Sequence, residues 1–134
     1  MKQFLICISM LFCLSTIAYA GNDVPMTYQP KGSTHTGNRS MFNDCQSLTS
    51  LNLSGFDTSN VTDMNNMFCD CVALATIYGG NWSTGSVEDS LLMFYCCLML
   101  VGGQGTTYDE NHIDHTYARI DGGSSAPGYF SIAV

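Results

Sequence analysis

Basic residues are scarce in this sequence. Its 134 residues include four Lys and Arg against eleven Asp and Glu, so the net charge is −7. A chain this acidic is repelled by phosphate backbones, and an anionic membrane surface is disfavoured for the same reason. We therefore expect no nucleic-acid partner.

Long apolar runs are also lacking after residue 20. The one such run, "FLICISMLFCLSTI", follows Lys2 and precedes Ala18-Tyr19-Ala20, a small-x-small cleavage site. The run is short for a membrane span, so we interpret residues 1–20 as a secretory signal peptide. The alternative is an uncleaved single anchor. The interpretation predicts a secreted or cell-surface protein with no membrane span after cleavage.

Catalytic motifs are missing as well. The sequence has no G-x-S-x-G, no G-x-x-x-x-G-K-[ST] and no H-E-x-x-H. The cysteine clusters "CDC" and "CC" do not have the C-x₂₋₄-C spacing of structural zinc sites. The one imidazole–carboxylate cluster, "YDENHIDHTY" with His112 and His115, we interpret as a polar loop. We expect a non-enzymatic protein without cofactor or metal.

A repeat is the strongest positive signal. The phrases "MFNDC", "MFCDC" and "MFYCC" begin at Met41, Met67 and Met93, which lie 26 residues apart. Such a period is typical of stacked repeats, in which equivalent positions of successive units form columns. One unit cannot bury its own apolar residues, so we predict that these columns are buried ladders. The ladder residues are Phe42, Phe68 and Phe94; Cys45, Cys71 and Cys97; Leu48, Leu74 and Leu100; and Phe56 with Trp82.

Each unit reads as a strand, a turn and a short helix. "LTSLNL" (Leu48 to Leu53) alternates apolar and polar residues as a half-buried strand does. The four apolar residues in the stretch 61–68 recur at helical spacing, and Ser59 or Asn60 can cap the start of that helix. The pattern predicts an α/β protein, a short leucine-rich-repeat solenoid with a 26-residue period. The candidate binding residues are the outward positions of the strand face: Thr49, Ser50, Asn52, Thr76 and Tyr78.

Composition divides the chain into four parts. Residues 1–20 are the signal peptide, 21–39 a flexible leader, 40–103 the solenoid and 104–134 a C-terminal cap. In the cap, "YARIDGG" and "GYFSIAV" flank the turn signal "GGSSAP", which predicts a β-hairpin over residues 117–132. Removal of the signal leaves five cysteines, so at least one thiol has no partner within the chain, and the pairing stays open.

The phrase L-x-x-L-x-L-S-x-F-D-T-S-N-V-T-D-M-x-x-M-F-x-x-C, Leu48 to Cys71, resembles the BspA-like leucine-rich-repeat proteins. These are surface or secreted proteins of anaerobic bacteria. Their repeat is also catalogued as a domain of unknown function in Mycoplasma- and Lactobacillus-type surface proteins. The segment from Gly102 to Phe130 resembles the terminal segment of that family. This chain departs from the family in having few repeats and in carrying Ser86, Glu88 and Ser90 in place of Asn, Thr and Met.

The resemblance implies a solenoid outside the cell and a role in adhesion. The expected partner is a host matrix protein or another cell-surface protein. Tyr78 and Trp82 are the best anchor candidates because aromatic residues dominate interface hot spots, but Trp82 shares a column with Phe56, which favours a core position for it. The alternative is a truncated or degenerate terminal fragment of a larger surface protein, with a structural role only.

Overall fold

Six short strands form two parallel sheets in the computed structural model, which describes residues 17–19, 24–25, 40–80 and 82–133. The four-stranded sheet has the order β1 (Ile17–Tyr19), β3 (Ser50–Asn52), β5 (Thr76–Gly79) and β6 (Phe130–Ile132). The two-stranded sheet pairs β2 (Val24–Pro25) with β4 (Phe56–Asp57). Two 3₁₀ helices, His115–Tyr117 and Gly123–Ser125, lie in the C-terminal part.

The pairing of β3 with β5 follows the 26-residue interval of the sequence. Ser50 faces Thr76, Leu51 faces Ile77, and Asn52 faces Tyr78. The middle pair of side chains is buried, whereas the flanking pairs are partly exposed. This is the alternation expected of a sheet with one face on the core and the other in water.

Backbone hydrogen bonds join successive units along the turn segments as well. The N–H of Phe42 donates to the carbonyl of Met67 (2.8 Å), and the N–H of Phe68 donates to that of Met93 (2.9 Å). The N–H groups of Asp44 and Asp70 bond the next unit in the same way. The backbone therefore stacks, unit on unit, along the turn segments as it does along the strands.

The short helix predicted over residues 61–68 does not form, and within the described ranges the chain has no α-helix. Turns occupy residues 65–70, and Asn66 and Asp70 have φ of 55° and 60°, which ends any right-handed helix. The N–H groups of Met64, Asn66 and Phe68 bond carbonyls of the next unit instead of carbonyls four residues earlier. Stacked turns over residues 65–70 therefore take the place of the predicted helix. The apolar side chains of the stretch are still buried, because stacked turns present them inward at similar spacing.

The predicted C-terminal β-hairpin is also wrong. Strand β6 pairs in parallel with β5, and the bridge between Ile120 and Phe130 is parallel too. In the third unit, Val101 still bonds the carbonyl of Ala75, but the chain then turns away at Gly102. A side chain at Gly102 would collide with the carbonyl oxygen of Gly128 and with the Asp121 carboxylate. The strand position beside β5 is therefore filled by β6, which places Phe130 in the core.

Buried columns run through the core. The rings of Phe42 and Phe68 stack with centroids 5.6 Å apart, and those of Phe68 and Phe94 with centroids 5.3 Å apart. Tyr129 closes the stack edge-on against Phe94 at 5.0 Å. The leucine column, Leu48, Leu74 and Leu100, is fully buried.

The cysteine column is buried and hydrogen-bonded. The thiol of Cys71 donates to the carbonyl of Phe42 (2.9 Å), and that of Cys97 donates to the carbonyl of Phe68 (3.0 Å). Cys45 takes part in a disulfide. The thiols of Cys71 and Cys97 thus give these two buried carbonyls a hydrogen-bond partner that an alanine side chain would not supply.

The remaining ladder pair lies nearer the surface. Phe56 and Trp82 are half-buried and pack against the core, and Trp82 meets the ring of Phe130 edge-on at 5.2 Å. Both side chains are therefore less buried than the ladder prediction requires.

The predicted N-terminal parts fall mostly outside the described residues. Of the signal peptide only 17–19 are described, as β1, and of the leader only 24–25, as β2. Cleavage after Ala20 would remove β1 and leave β3 as the edge of the sheet. Among the described residues, no helix has the length and apolar character that crossing a bilayer requires.

Candidate functional site

Four of the five predicted binding residues come together on the outward face of the four-stranded sheet. The register sets Ser50 beside Thr76, and Tyr78 between Asn52 and Ser131. Thr49 precedes β3 and is exposed, and the other four are half-exposed. Leu51 and Ile77, between these positions, are buried and hold the two strands to the core.

Asn52 has a structural role within this face. Its Oδ1 accepts hydrogen bonds from the backbone N–H (3.0 Å) and the hydroxyl (2.6 Å) of Ser54. This fixes the turn that follows β3. Replacement of Asn52 therefore perturbs the turn together with any contact it makes, and Thr76 and Tyr78 are the cleaner probes of the surface.

A second concave feature lies in the cap, where sequence reasoning predicted only a polar loop. Residues 105–111 and Tyr117 line a pocket of about 650 Å³. Its lining includes the ring of Tyr108 and the carboxylates of Asp109 and Glu110. The pattern Y-D-E-N, an aromatic next to acidic and amide side chains, is the sequence signal that marks it.

Tyr129 anchors the pocket loop to the core. Its hydroxyl accepts from the N–H of Asp109 (3.1 Å) and lies within bonding distance of the carbonyls of Asp109 (3.3 Å) and His112 (3.1 Å). Burial raises the pKa of Tyr129 to about 12, so the hydroxyl stays protonated at neutral pH. The loop is therefore fixed by a residue about 20 positions away in the chain.

The Asp109 carboxylate is ionised under ordinary conditions. The backbone N–H and side-chain amide of Asn111 both donate to it at 2.9 Å and hold its pKa below the usual 3.8. The ring of His112 lies parallel to that of Tyr117, with centroids 4.0 Å apart. The pocket thus offers negative charge and aromatic surface, without a nucleophile beside a base.

Ser90 and His115 form the one serine–histidine pair in the described part of the chain. The Ser90 hydroxyl lies 2.7 Å from His115 Nδ1 and also accepts from the His115 backbone N–H at 3.2 Å. Ser90 is buried in the column of Met64, so its hydroxyl does not face a substrate cavity. This bond joins the third unit to the cap, which explains why a polar residue replaces the methionine of the repeat here.

Three of the four free thiols are poor nucleophiles as they stand. Cys69, Cys71, Cys96 and Cys97 are unpaired. Burial raises the pKa of Cys69 to about 11 and that of Cys71 to about 12, and it raises the pKa of Cys97 as well. In the ranges that the structure describes, no three His, Cys, Asp or Glu side chains gather as a metal centre requires.

One protein family matches the sequence of this chain. No curated protein and no solved structure matches the chain. A family model described as "Mycoplasma protein of unknown function, DUF285" matches residues 31–117. That range covers 87 of the 134 residues, more than half of the chain, and includes the three repeated phrases at Met41, Met67 and Met93 and the pocket loop. The chain therefore belongs to the DUF285 family of Mycoplasma proteins of unknown function.

Proposed function

We propose that this protein is a secreted or surface-exposed leucine-rich-repeat protein of the BspA-like kind, non-enzymatic, that binds another protein. The partner is a host matrix protein or another cell-surface protein. The observation that carries the proposal is the outward sheet face, on which Ser50, Asn52, Thr76 and Tyr78 lie in two adjacent rows.

The physical properties of this face favour protein recognition. Strand β5, which carries Thr76 and Tyr78, is paired on both sides by β3 and β6, so ordering its backbone costs little on binding. Tyr78 presents a half-exposed aromatic ring among small hydroxyl side chains, and aromatic anchors of this kind contribute most to interface energies. The face carries no charge of its own, so it tolerates partners of either sign.

The repeat assignment rests on the stacked register. Strand pairing and turn bonding at a 26-residue offset are the arrangement by which repeat proteins bury a continuous core. The signal-like N-terminal run supports export to the exterior. A structural role as a terminal piece of a larger surface protein is the competing proposal.

Binding of the full chain to immobilised fibronectin and fibrinogen tests the proposal. Thr76→Arg places a bulky charge on the sheet face, and its matched control Ser124→Arg places the same charge on an exposed turn of the cap. We expect saturable binding that Thr76→Arg and Tyr78→Ala weaken at least tenfold and that Ser124→Arg leaves unchanged. Circular dichroism establishes that each variant is folded.

Two results contradict the proposal. Folded wild-type protein that binds neither ligand would favour the structural role. Binding that all three variants retain would remove the sheet face from the interaction.

A further inference from the structure

A band of exposed apolar side chains lies along the turn segments of the third unit. We call it the apolar turn face, and it consists of Leu91, Tyr95, Leu98 and Met99, flanked by Val72 and Val101. Leu91 is 69% exposed, Leu98 63% and Met99 59%. Apart from Ile132 on β6, these are the large exposed hydrophobic residues of the described chain.

In the first unit, three of these residues have polar equivalents. Tyr95, Leu98 and Met99 lie 52 residues after Asn43, Gln46 and Ser47. Leu91 follows Asn65 by 26 residues, and the N–H groups of Asn66 and Asp70 bond the carbonyls of Leu91 and Tyr95. The same outer surface is therefore polar at the first unit and apolar at the third.

The core does not require these apolar residues. The inward columns of the third unit, Met93, Phe94, Cys97 and Leu100, are completely buried already. Scaled by their exposed fractions, the side chains of the turn face present on the order of 600 Å² of apolar surface, at the upper end of what a typical monomer exposes. Surface of this kind in an otherwise polar position marks an interaction site.

The charge of this segment is compatible with a second copy of the chain as the partner. Residues 90–108 contain no charged side chain, whereas the protein as a whole has a net charge of −7; Asp70 of the preceding unit lies at the edge of the face, beside Tyr95. Two copies of an acidic chain repel each other, and only a neutral, apolar surface lets them approach without opposing like charges. The apolar turn face alone supplies about three quarters of the roughly 800 Å² per partner that a standard stable interface buries.

We propose that two copies of this chain associate through the apolar turn face, in a two-fold pair that buries Leu91, Tyr95, Leu98 and Met99 against their equivalents. A two-fold interface uses one patch on both partners, so a single self-complementary apolar band is sufficient.

Light scattering coupled to size-exclusion chromatography tests the proposal on the full chain. Leu98→Asp places a charge in the turn face, and its matched control Ile132→Asp changes a side chain of equal exposure (68%) on β6. We expect a dimer for the wild type and for Ile132→Asp, and a dissociation constant at least tenfold higher for Leu98→Asp. Both variants retain the apolar N-terminal run, so any self-association it causes is common to them.

Several outcomes overturn the proposal. These are a monomeric wild type at concentrations up to about 100 μM, a Leu98→Asp variant that dimerises like the wild type, and a loss of dimerisation in both variants. Flotation with phosphatidylcholine vesicles checks the other occupant: a monomeric wild type that floats, and a Leu98→Asp variant that does not, would assign the face to lipid. Equal thermal unfolding midpoints for the two variants show that the charge acts on association rather than on folding.

Discussion

Asp121 is the residue whose replacement tests the cap most directly. It is 4% exposed, and its Oδ2 accepts from the backbone N–H groups of Gln104 (2.8 Å) and Thr106 (3.0 Å). Its Oδ1 accepts from the Thr106 hydroxyl (2.7 Å) and the N–H of Gly123 (2.9 Å). One carboxylate thus holds the loop that leaves the third unit at Gly102 and the turn that leads to β6.

The magnitude follows from these four bonds. Asp121→Ala leaves three backbone N–H groups without their acceptor, and each bond to a charged acceptor contributes about 1.5–3 kcal/mol before solvent replaces part of it. Because Gln104 and the loop around it are exposed, we expect a net loss of about 3 kcal/mol in the free energy of unfolding. Asp121→Asn keeps the shape but sets an amide group against N–H donors, so we expect a loss of about 2 kcal/mol.

The pH dependence gives a second readout. Burial by itself would raise the pKa of Asp121, but the four hydrogen bonds outweigh it and lower the pKa from 3.8 to about 2. A group whose pKa is lower in the folded state stabilises the fold above its unfolded pKa and loses that effect as the pH falls through its folded pKa. The stability difference between wild type and Asp121→Asn should therefore be constant above about pH 5 and shrink between pH 4 and 2.

Urea unfolding at pH 7, 5, 4 and 3 measures both effects, with Glu88→Gln as a control at an exposed acidic position. The other carboxyl groups are common to wild type and Asp121→Asn, so their titration cancels in the difference. The reasoning is refuted if Asp121→Ala is as stable as Glu88→Gln at pH 7. It is also refuted if the difference between wild type and Asp121→Asn is the same at pH 3 as at pH 7.

Two further predictions concern the turns and the thiols. Leu92 has a φ of 56°, like Asn66 at 55° in the unit before, and asparagine tolerates this conformation better than leucine does. We therefore expect thermal unfolding to show that Leu92→Asn stabilises the protein by about 0.5 kcal/mol and that Asn66→Leu destabilises it by about 1 kcal/mol. Effects of the opposite sign would contradict the argument from backbone strain. Iodoacetamide at pH 8 should alkylate half-buried Cys96 before buried Cys71 and Cys97, as followed by peptide mass spectrometry; equal rates in the folded protein would contradict their burial.

Only part of the candidate site can be predicted from the sequence. The outward sheet face can be predicted from alternation, because side chains on a strand point to opposite faces at a period of two. The cap pocket cannot, since it depends on the Tyr129 hydroxyl reaching a loop 17 to 20 residues earlier in the chain. Likewise, no local pattern places Ser90 beside His115, because each side chain meets the other only when the cap packs on the third unit.

The sequence by itself determined the 26-residue register and the identity of the inward residues, because apolar side chains recur at equivalent positions in every unit. Only the tertiary structure decided between helix and turn over residues 61–68, since both bury side chains at a spacing of three to four residues. Bonds to the next unit replace the helical ones, and those acceptors exist only after stacking. The same holds for β6, because the open edge of β5 exists only in the folded stack. Pairing with that edge and burial of Phe130 favour a place in the sheet over a hairpin for the C-terminal strand.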